Sequence, residues 1–280
     1  MPARQRVPAD GRLTAAMNAG ETAVLREGEI TVRGRILPAS NATFFGTVTL
    51  GTESVECVYK PVAGERPLWD FPDGTLANRE VAAFVVSEAL GWSVVPPTLL
   101  RDGPAGPGMV QVWREPDESQ QPVDLVPVGE TPAGYLHVLD AYDAHDDEIS
   151  LVHEDSGPLR RMAVFDVLVN NADRKGGHVL AMSDGHRFGV DHGVSFHVEE
   201  KLRTVLWGWA QDPLLPEERE QLEALAGELT LGSGPLCARL GELLAPAEVA
   251  ALVRRVERLL RQGRMPLPSA GWPSIPWPAF

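Results

Sequence analysis

Apolar and polar positions alternate along ITVRGRIL (30–37) and TFFGTVTL (43–50), with a small polar turn between them. Period-two alternation puts successive side chains on opposite faces, so both segments predict β-strands, and VECVYK (55–60) predicts a third after the Gly51-Thr52-Glu53 turn. Residues 78–90 change to a helical period. Asn78 is read as the N-cap, Glu80 as a first-turn residue, Val81, Phe84, Val85 and Leu90 as one apolar stripe, and Gly91 as the stop. VVPPTLL (94–100) and MVQVW (109–113) return to strand patterns. Residues 114–134 read as loop, and the acidic stretch 137–155 as a solvated, partly helical insert. From Ser156 to about Asn170 the spacing of Leu159, Met162, Ala163 and Leu168 predicts a helix with Pro158 in its first turn. A hairpin follows over 178–193 with Asp184-Gly185 at its turn, and 215–262 reads as two or three amphipathic helices. The proline-rich tail from Gly263 is expected to be an extended arm, with Trp272 and Trp277 packed on the parent domain.

Composition narrows the choice of partner. The 280 residues carry 25 basic and 39 acidic side chains, a net charge of −14, which disfavours general nucleic-acid binding because phosphate contacts need basic patches. No apolar run reaches membrane-spanning length, no basic amphipathic helix offers a stable membrane anchor, and the first residues lack an apolar segment long enough for a secretory signal. Cys57 and Cys237 are too few for a disulfide scaffold and read as core thiols of a reducing cytoplasm.

Lysine occurs only at positions 60, 175 and 201, and this scarcity draws attention to where the lysines fall. Lys60 ends a strand that follows a small-residue turn at Ser40, Asn41, Ala42 and Thr43. Glu80 opens the next helix, Asp173 follows a buried helix, and Asp191 follows the hairpin. A kinase-type phosphotransferase requires this order of parts. A lysine reaches the nucleotide phosphates and a carboxylate holds that lysine. One aspartate positions or accepts the proton of the attacking hydroxyl, and a second holds a hard divalent cation. Arg174, Lys175, Lys201 and Arg203 flank the aspartates as a possible receptor for an anionic group.

The segments SNATFFGTV, VECVYKP, NREVAAFVVSEALGWSVVPPT, GMVQVW, FDVLVNNADRKGGH and FGVDHGVSF carry a resemblance. They resemble the phosphatidylinositol 3-/4-kinase superfamily, in style the type II phosphatidylinositol 4-kinases, and an actinobacterial group of proteins described as related to those kinases. The resemblance implies a two-lobed α+β, protein-kinase-like fold, with a small antiparallel-sheet lobe and a mostly helical large lobe. It implies ATP and Mg²⁺ or Mn²⁺ as cofactors and an unidentified hydroxyl-bearing acceptor: lipid, protein or small molecule. By position it implies that Ser40, Asn41, Ala42 and Thr43 cover the phosphates, and that Lys60 contacts them and pairs with Glu80. It further implies that Gln111, Val112 and Trp113 form the hinge that meets adenine, that Asp173 is catalytic and that Asp191 binds metal. His178 stands where the family has an asparagine metal ligand, and imidazole suits Mn²⁺ or Zn²⁺ better than Mg²⁺.

The expected organisation is an N-terminal segment (1–28), a small nucleotide-binding lobe (29–113), a large catalytic lobe (114–262) and a Pro/Trp-rich tail (263–280). The expected function is transfer of the ATP γ-phosphoryl group to a hydroxyl. A nucleotide-binding pseudokinase is the alternative in the same fold. A metal hydrolase using His178, Asp191, His192 and His197, with His137 and His145, is the alternative of another class.

Overall fold

The structure is a computed structural model, and it describes residues 20–37, 41–66, 68–71, 74–143, 145–230, 232, 234–271 and 273–280. Ser40, Trp272 and the segment before residue 20 lie outside the described residues.

Five strands form the first sheet: β1 (Glu29–Arg35), β2 (Phe44–Leu50), β3 (Glu53–Pro61), β4 (Thr98–Gly103) and β5 (Gly106–Val112), in the antiparallel order β1-β2-β3-β5-β4. Along β3 the side chains of Cys57, Tyr59 and Pro61 are buried, whereas Val58 and Lys60 are half-buried on the opposite face. The buried face is covered by helix α1 (20–27), whose Val24 and Leu25 join Ile30, Val48, Cys57, Tyr59, Leu99 and Val110 in one apolar cluster. Helix α1 thus packs on the first sheet although it precedes residue 29.

Helix α2 (Leu76–Ala89) crosses between the lobes. Its cap is Thr75 rather than Asn78: the Thr75 hydroxyl accepts from the Asn78 amide at 3.1 Å, so Glu80 falls in the second turn. Residues Ala77, Arg79, Glu80, Val81, Ala82, Ala83, Val86 and Ser87 are all buried, because α2 meets β4 and β5 on one side and the helices of the large lobe on the other.

The stretches read as loop and partly helical insert are a second sheet. Strands β6 (Val123–Pro127), β7 (Tyr135–Tyr142) and β8 (Glu148–Glu154) run antiparallel in the order β6-β8-β7. A register shift between His137 and Leu139 breaks the alternation on β7, and much of that strand is half-exposed, so its charges hid the strand period. The large lobe continues with α3 (Gly157–Val169), the β9 (Val179–Ala181) and β10 (Arg187–Gly189) hairpin, then α4 (Pro216–Thr230), α5 (Pro235–Leu243) and α6 (Pro246–Gln262). Ser156 caps α3 by accepting from the Leu159 amide, and Asn170 ends it in the left-handed region. This is the two-lobed α+β arrangement expected. No helix among the described residues is long and apolar enough to cross a membrane.

Candidate functional site

Lys60 leaves the cleft-facing side of β3 and meets two carboxylates. Its ammonium donates to Glu80 Oε1 at 2.8 Å and also to Asp191 Oδ1. The second oxygen of Glu80 accepts the His192 amide at 2.9 Å, so one buried carboxylate ties α2 to both β3 and the Asp191 turn. Burial alone would lower the Lys60 ammonium, but Asp191 and Glu80 together raise it above its ordinary value. Lys60 in turn holds the Asp191 carboxyl well below the usual carboxylate range, against the effect of burial. Asp191 has φ +60°, a conformation aspartate tolerates better than most side chains. A buried ion pair between Arg79 and Glu248 at 2.7 Å fixes α2 to α6 and so fixes Glu80 in place.

Asp173 sits on the loop after α3. Its amide donates to Asn171 Oδ1 at 3.0 Å, and its half-buried carboxylate faces Lys175 Nζ at 3.3 Å. His178 donates from Nδ1 to the Asp173 carbonyl at 2.8 Å, which leaves the Nε2 lone pair free, 3.5 Å from Asp191 Oδ2. Burial holds this imidazole below its ordinary pKa, and Asp191 opposes that shift. A neutral imidazole nitrogen beside a carboxylate is a donor set that fits a divalent cation, and the Asp173 carbonyl, by accepting from Nδ1, turns the Nε2 lone pair outward. It supplies two protein ligands. Among the described residues no three His, Cys, Asp or Glu side chains converge on a metal position.

Arg174 is fully buried beneath this loop. It pairs with Asp166 of α3, donates to the carbonyls of His178 and Val190 at 3.1 Å each, and donates to His192 Nε2 at 2.6 Å. It therefore cannot receive a substrate anion, as its position beside Asp173 had suggested. Lys201 is also committed, to Asp70 at 2.9 Å. Of the flanking basic groups whose partners are defined, Lys175 is the one facing Asp173.

The remaining expected site residues are partly brought together. Asn41, Ala42 and Thr43 form the connection into β2. Asn41 Oδ1 accepts the Arg66 amide at 2.8 Å and the Ala42 amide donates to Gly64 O at 3.2 Å, which folds the turn onto the segment after Lys60. Gln111 points inward, donating to Thr98 Oγ1 at 2.8 Å. The amides of Val112 and Trp113 are committed to Pro97 O and Glu56 O at 2.9 Å each, so the expected hinge amides are already spent inside the small lobe. The amides of Arg114 and Glu115, just beyond, donate to no group among the described residues. The histidines of the metal-hydrolase alternative are dispersed. His137 pairs with Asp140 on β7, His145 lies beside Asp143, His197 meets Phe71 edge-on at 5.1 Å, and His192 is buried under Arg174.

Three features were not legible in the sequence. Asn170 Nδ2 donates to the carbonyls of His197 and Glu199, and its Oδ1 accepts the Lys201 amide, so it fixes the segment after Asp191. The charged Asp166 within the apolar FDVLV run was a signal that a buried partner existed. The tail docks on the site: Ala279 O accepts the Gly176 amide at 2.8 Å, and a Cβ at Gly176 would stand 2.4 Å from the Phe280 ring. Trp277, expected to pack inward, is 80% exposed.

No family model matches the chain. The Golgi casein kinase, a solved structure, is similar with a TM-score of 0.54 at 16% identity, over 88% of this chain and 74% of that one. This likeness shows a kinase-like fold. The protein Rv2133c of Mycobacterium tuberculosis (strain ATCC 25618 / H37Rv) is 54% identical over 277 residues, spanning 96% of this chain and 98% of its own length. At that identity and coverage, the chain belongs to the family of the M. tuberculosis protein Rv2133c.

Proposed function

We propose that the chain is an ATP-dependent phosphotransferase that moves the γ-phosphoryl group to a hydroxyl. The observation that carries this reading is Lys60 held jointly by Glu80 and Asp191, with Asp173 on the neighbouring loop. The metal-hydrolase alternative gives Lys60 and Glu80 no task.

In this reading Lys60 turns from Asp191 to the phosphates when nucleotide enters, while Glu80 keeps its ammonium aimed. Phe45 and Val58, paired across β2 and β3 on the cleft side, offer an apolar roof to adenine. The free amides of Arg114 and Glu115 take over the hinge role expected of Gln111, Val112 and Trp113. Asn41, Ala42 and Thr43 lie over the phosphates. Asp191 and His178 would hold Mg²⁺ or Mn²⁺, which when bound neutralises phosphate charge. Two protein ligands suit a cation whose other positions go to phosphate and water. Asp173 orients the acceptor hydroxyl and takes its proton. The acceptor oxygen bonds to the γ-phosphorus as the bond to the bridging oxygen breaks, and ADP leaves with the electron pair. Lys175 lies beside Asp173, placed to meet the transferred group. Catalysis of this type is positioning and charge neutralisation.

Thermal unfolding with ATP, with and without Mg²⁺ or Mn²⁺, tests the nucleotide site. At about one hundred times Kd, bound nucleotide stabilises by roughly 2.7 kcal/mol. The metal-dependent shift is expected in the wild type and lost in Asp191→Ala. Asp173→Asn should keep the shift and lose turnover, read as ADP release in the presence of a hydroxyl acceptor. Normal turnover by Asp173→Asn would overturn its assigned role. Binding without turnover in either metal would favour the pseudokinase reading, for which His178 in place of asparagine is the motivating observation.

A further inference from the structure

Helix α6 carries Arg254, Arg258 and Arg261 at i, i+4 and i+7, which puts them on one face, with Arg255 beside them. That face and the segment after Asp191 line a half-open surface cavity of about 240 Å³, bounded by Val198, Glu200, Ala251 and all four arginines. The charges in it do not balance. Glu200 is shared, 2.8 Å from Arg258 Nη2 and 3.7 Å from Arg255 Nε. Arg261 has only Glu257, at 3.5 Å, and Arg254 makes no ion pair among the described residues. Four guanidinium groups thus line the cavity with one carboxylate, Glu200, in a chain whose net charge is −14.

Arg255 sharpens the point. Its side chain is 1% exposed. Its terminal nitrogens donate to Leu168 O and His197 O, but its Nε has no hydrogen-bond partner. Burial first, then the neighbouring Arg258 and Arg254, push this guanidinium down to about 10. A buried donor left unbonded costs free energy, and like charges held close together on one helix face repel. An anion in the cavity relieves both.

We propose that this cavity is a binding site for a small phosphate-bearing anion, separate from the nucleotide cleft. The planar fork of arginine matches phosphate oxygens in bidentate fashion, and several forks on one face select a multiply charged group over chloride. The volume is below that of drug-sized ligand pockets, so it takes a phosphate group or pair of groups rather than a whole nucleotide. Glu200 occupies the place of the anion's nearest competitor, because its carboxylate already satisfies Arg258. The site does not depend on the phosphotransferase reading.

The test is calorimetric titration of inorganic phosphate and of pyrophosphate at constant ionic strength, with chloride as control. A Lys60→Met background removes the cleft lysine. A second arm measures co-sedimentation with phosphatidylcholine vesicles with or without phosphatidic acid. Free anions binding shows a soluble ligand, and binding to the doped vesicles alone shows a lipid headgroup; either carries the shared chemistry. Arg254→Ala/Arg258→Ala removes two groups that lie outside the core, so circular dichroism should be unchanged. Binding should weaken at least about tenfold, the ratio that corresponds to about 1.4 kcal/mol. Glu200→Gln should tighten it severalfold, since the competing carboxylate is gone. The proposal is overturned if neither phosphate, pyrophosphate nor doped vesicles bind in the Lys60→Met background, or if binding survives the double arginine substitution undiminished. A Glu200→Gln variant that binds more weakly than its parent would overturn it independently of whether the double variant folds.

Discussion

Replacing Arg174 with leucine should destabilise the fold by about 3–4 kcal/mol, towards the lower end of the range for breaking a buried ion pair. The structure sets the size. The Arg174 side chain and its partner Asp166 are both 0% exposed, and all the guanidinium nitrogens are engaged. After substitution Asp166 keeps Asn171 Nδ2 at 3.0 Å and Thr204 Oγ1 at 3.4 Å, which softens the loss. The His178 carbonyl keeps the Val190 amide at 3.1 Å, while His192 Nε2 and the Val190 carbonyl lose the Arg174 donor. A leucine fills part of the space but returns none of these bonds. At roughly 2–4 °C per kcal/mol for chains of this order, Tm should fall by about 6–16 °C. Urea unfolding should show a lower midpoint at unchanged slope. Replacing Asp166 with leucine as well should recover part of the loss, because two apolar groups leave no uncompensated charge. A midpoint within about 1 kcal/mol of wild type for Arg174→Leu, or a double variant less stable than either single, would refute the reasoning.

Three imidazoles, buried His153 and His192 and half-buried His186, are held below their ordinary pKa, chiefly by desolvation. Each is neutral when folded and gains its proton earlier when unfolded. Their contribution is therefore fully present above about pH 6.5 and is lost as pH falls through the folded values, at up to about 1.4 kcal/mol per pH unit for each group. His153 accepts the Gly208 amide at 2.9 Å through Nε2, so His153→Gln should flatten the slope of urea midpoint against pH between 7 and 5; an unchanged slope would count against its share. Ser156→Ala should cost about 1 kcal/mol by removing the α3 cap, and equal stability to wild type by chemical denaturation would contradict that assignment.

Part of the small lobe could be read from local pattern: alternation survives in the burial along β3, whereas β2 and β5 bury consecutive residues and were marked by their apolar and β-branched side chains. The alternation fails on β7, where the register shift at His137 changes which side chains face inward and the exposed acids resemble a solvated helix. The α2 cap was placed one turn late because Asn78 is a good capping residue in isolation, whereas the chain before it lets Thr75 reach the Asn78 amide first. At the site, Lys60, Glu80, Asp173 and Asp191 were singled out by order and residue type, and the structure brings Lys60, Glu80 and Asp191 together, with Asp173 on a separate loop. The hinge was not legible. Whether an amide is free depends on partners far away in sequence, here Pro97 and Glu56, and no local pattern encodes them. The same limit explains the basic cluster: Arg174 and Lys201 look available until Asp166 and Asp70 are known to face them.

The placement of Glu80 in the cleft follows from which faces of α2 carry charge. α2 is buried nearly all round, so Arg79 and Glu80, adjacent on the helix, point to different lobes and neither reaches water. Arg79 finds Glu248 of α6, while Glu80 finds Lys60 and the His192 amide. Rotating α2 away from the cleft would strand both charges at once, and an unpaired buried charge costs several kcal/mol. Asn170 imposes the same order on the other side, since its amide holds the backbone from His197 to Lys201 while Asn171, next to it, holds the Asp173 amide. The ion pair that places Glu80 and the loop that places Asp173 thus share no residue, yet both close on the turn that carries Asp191. A fold with these constraints fixes the distance between its two aspartates through the buried Arg174, which contacts the backbone on both sides of that gap.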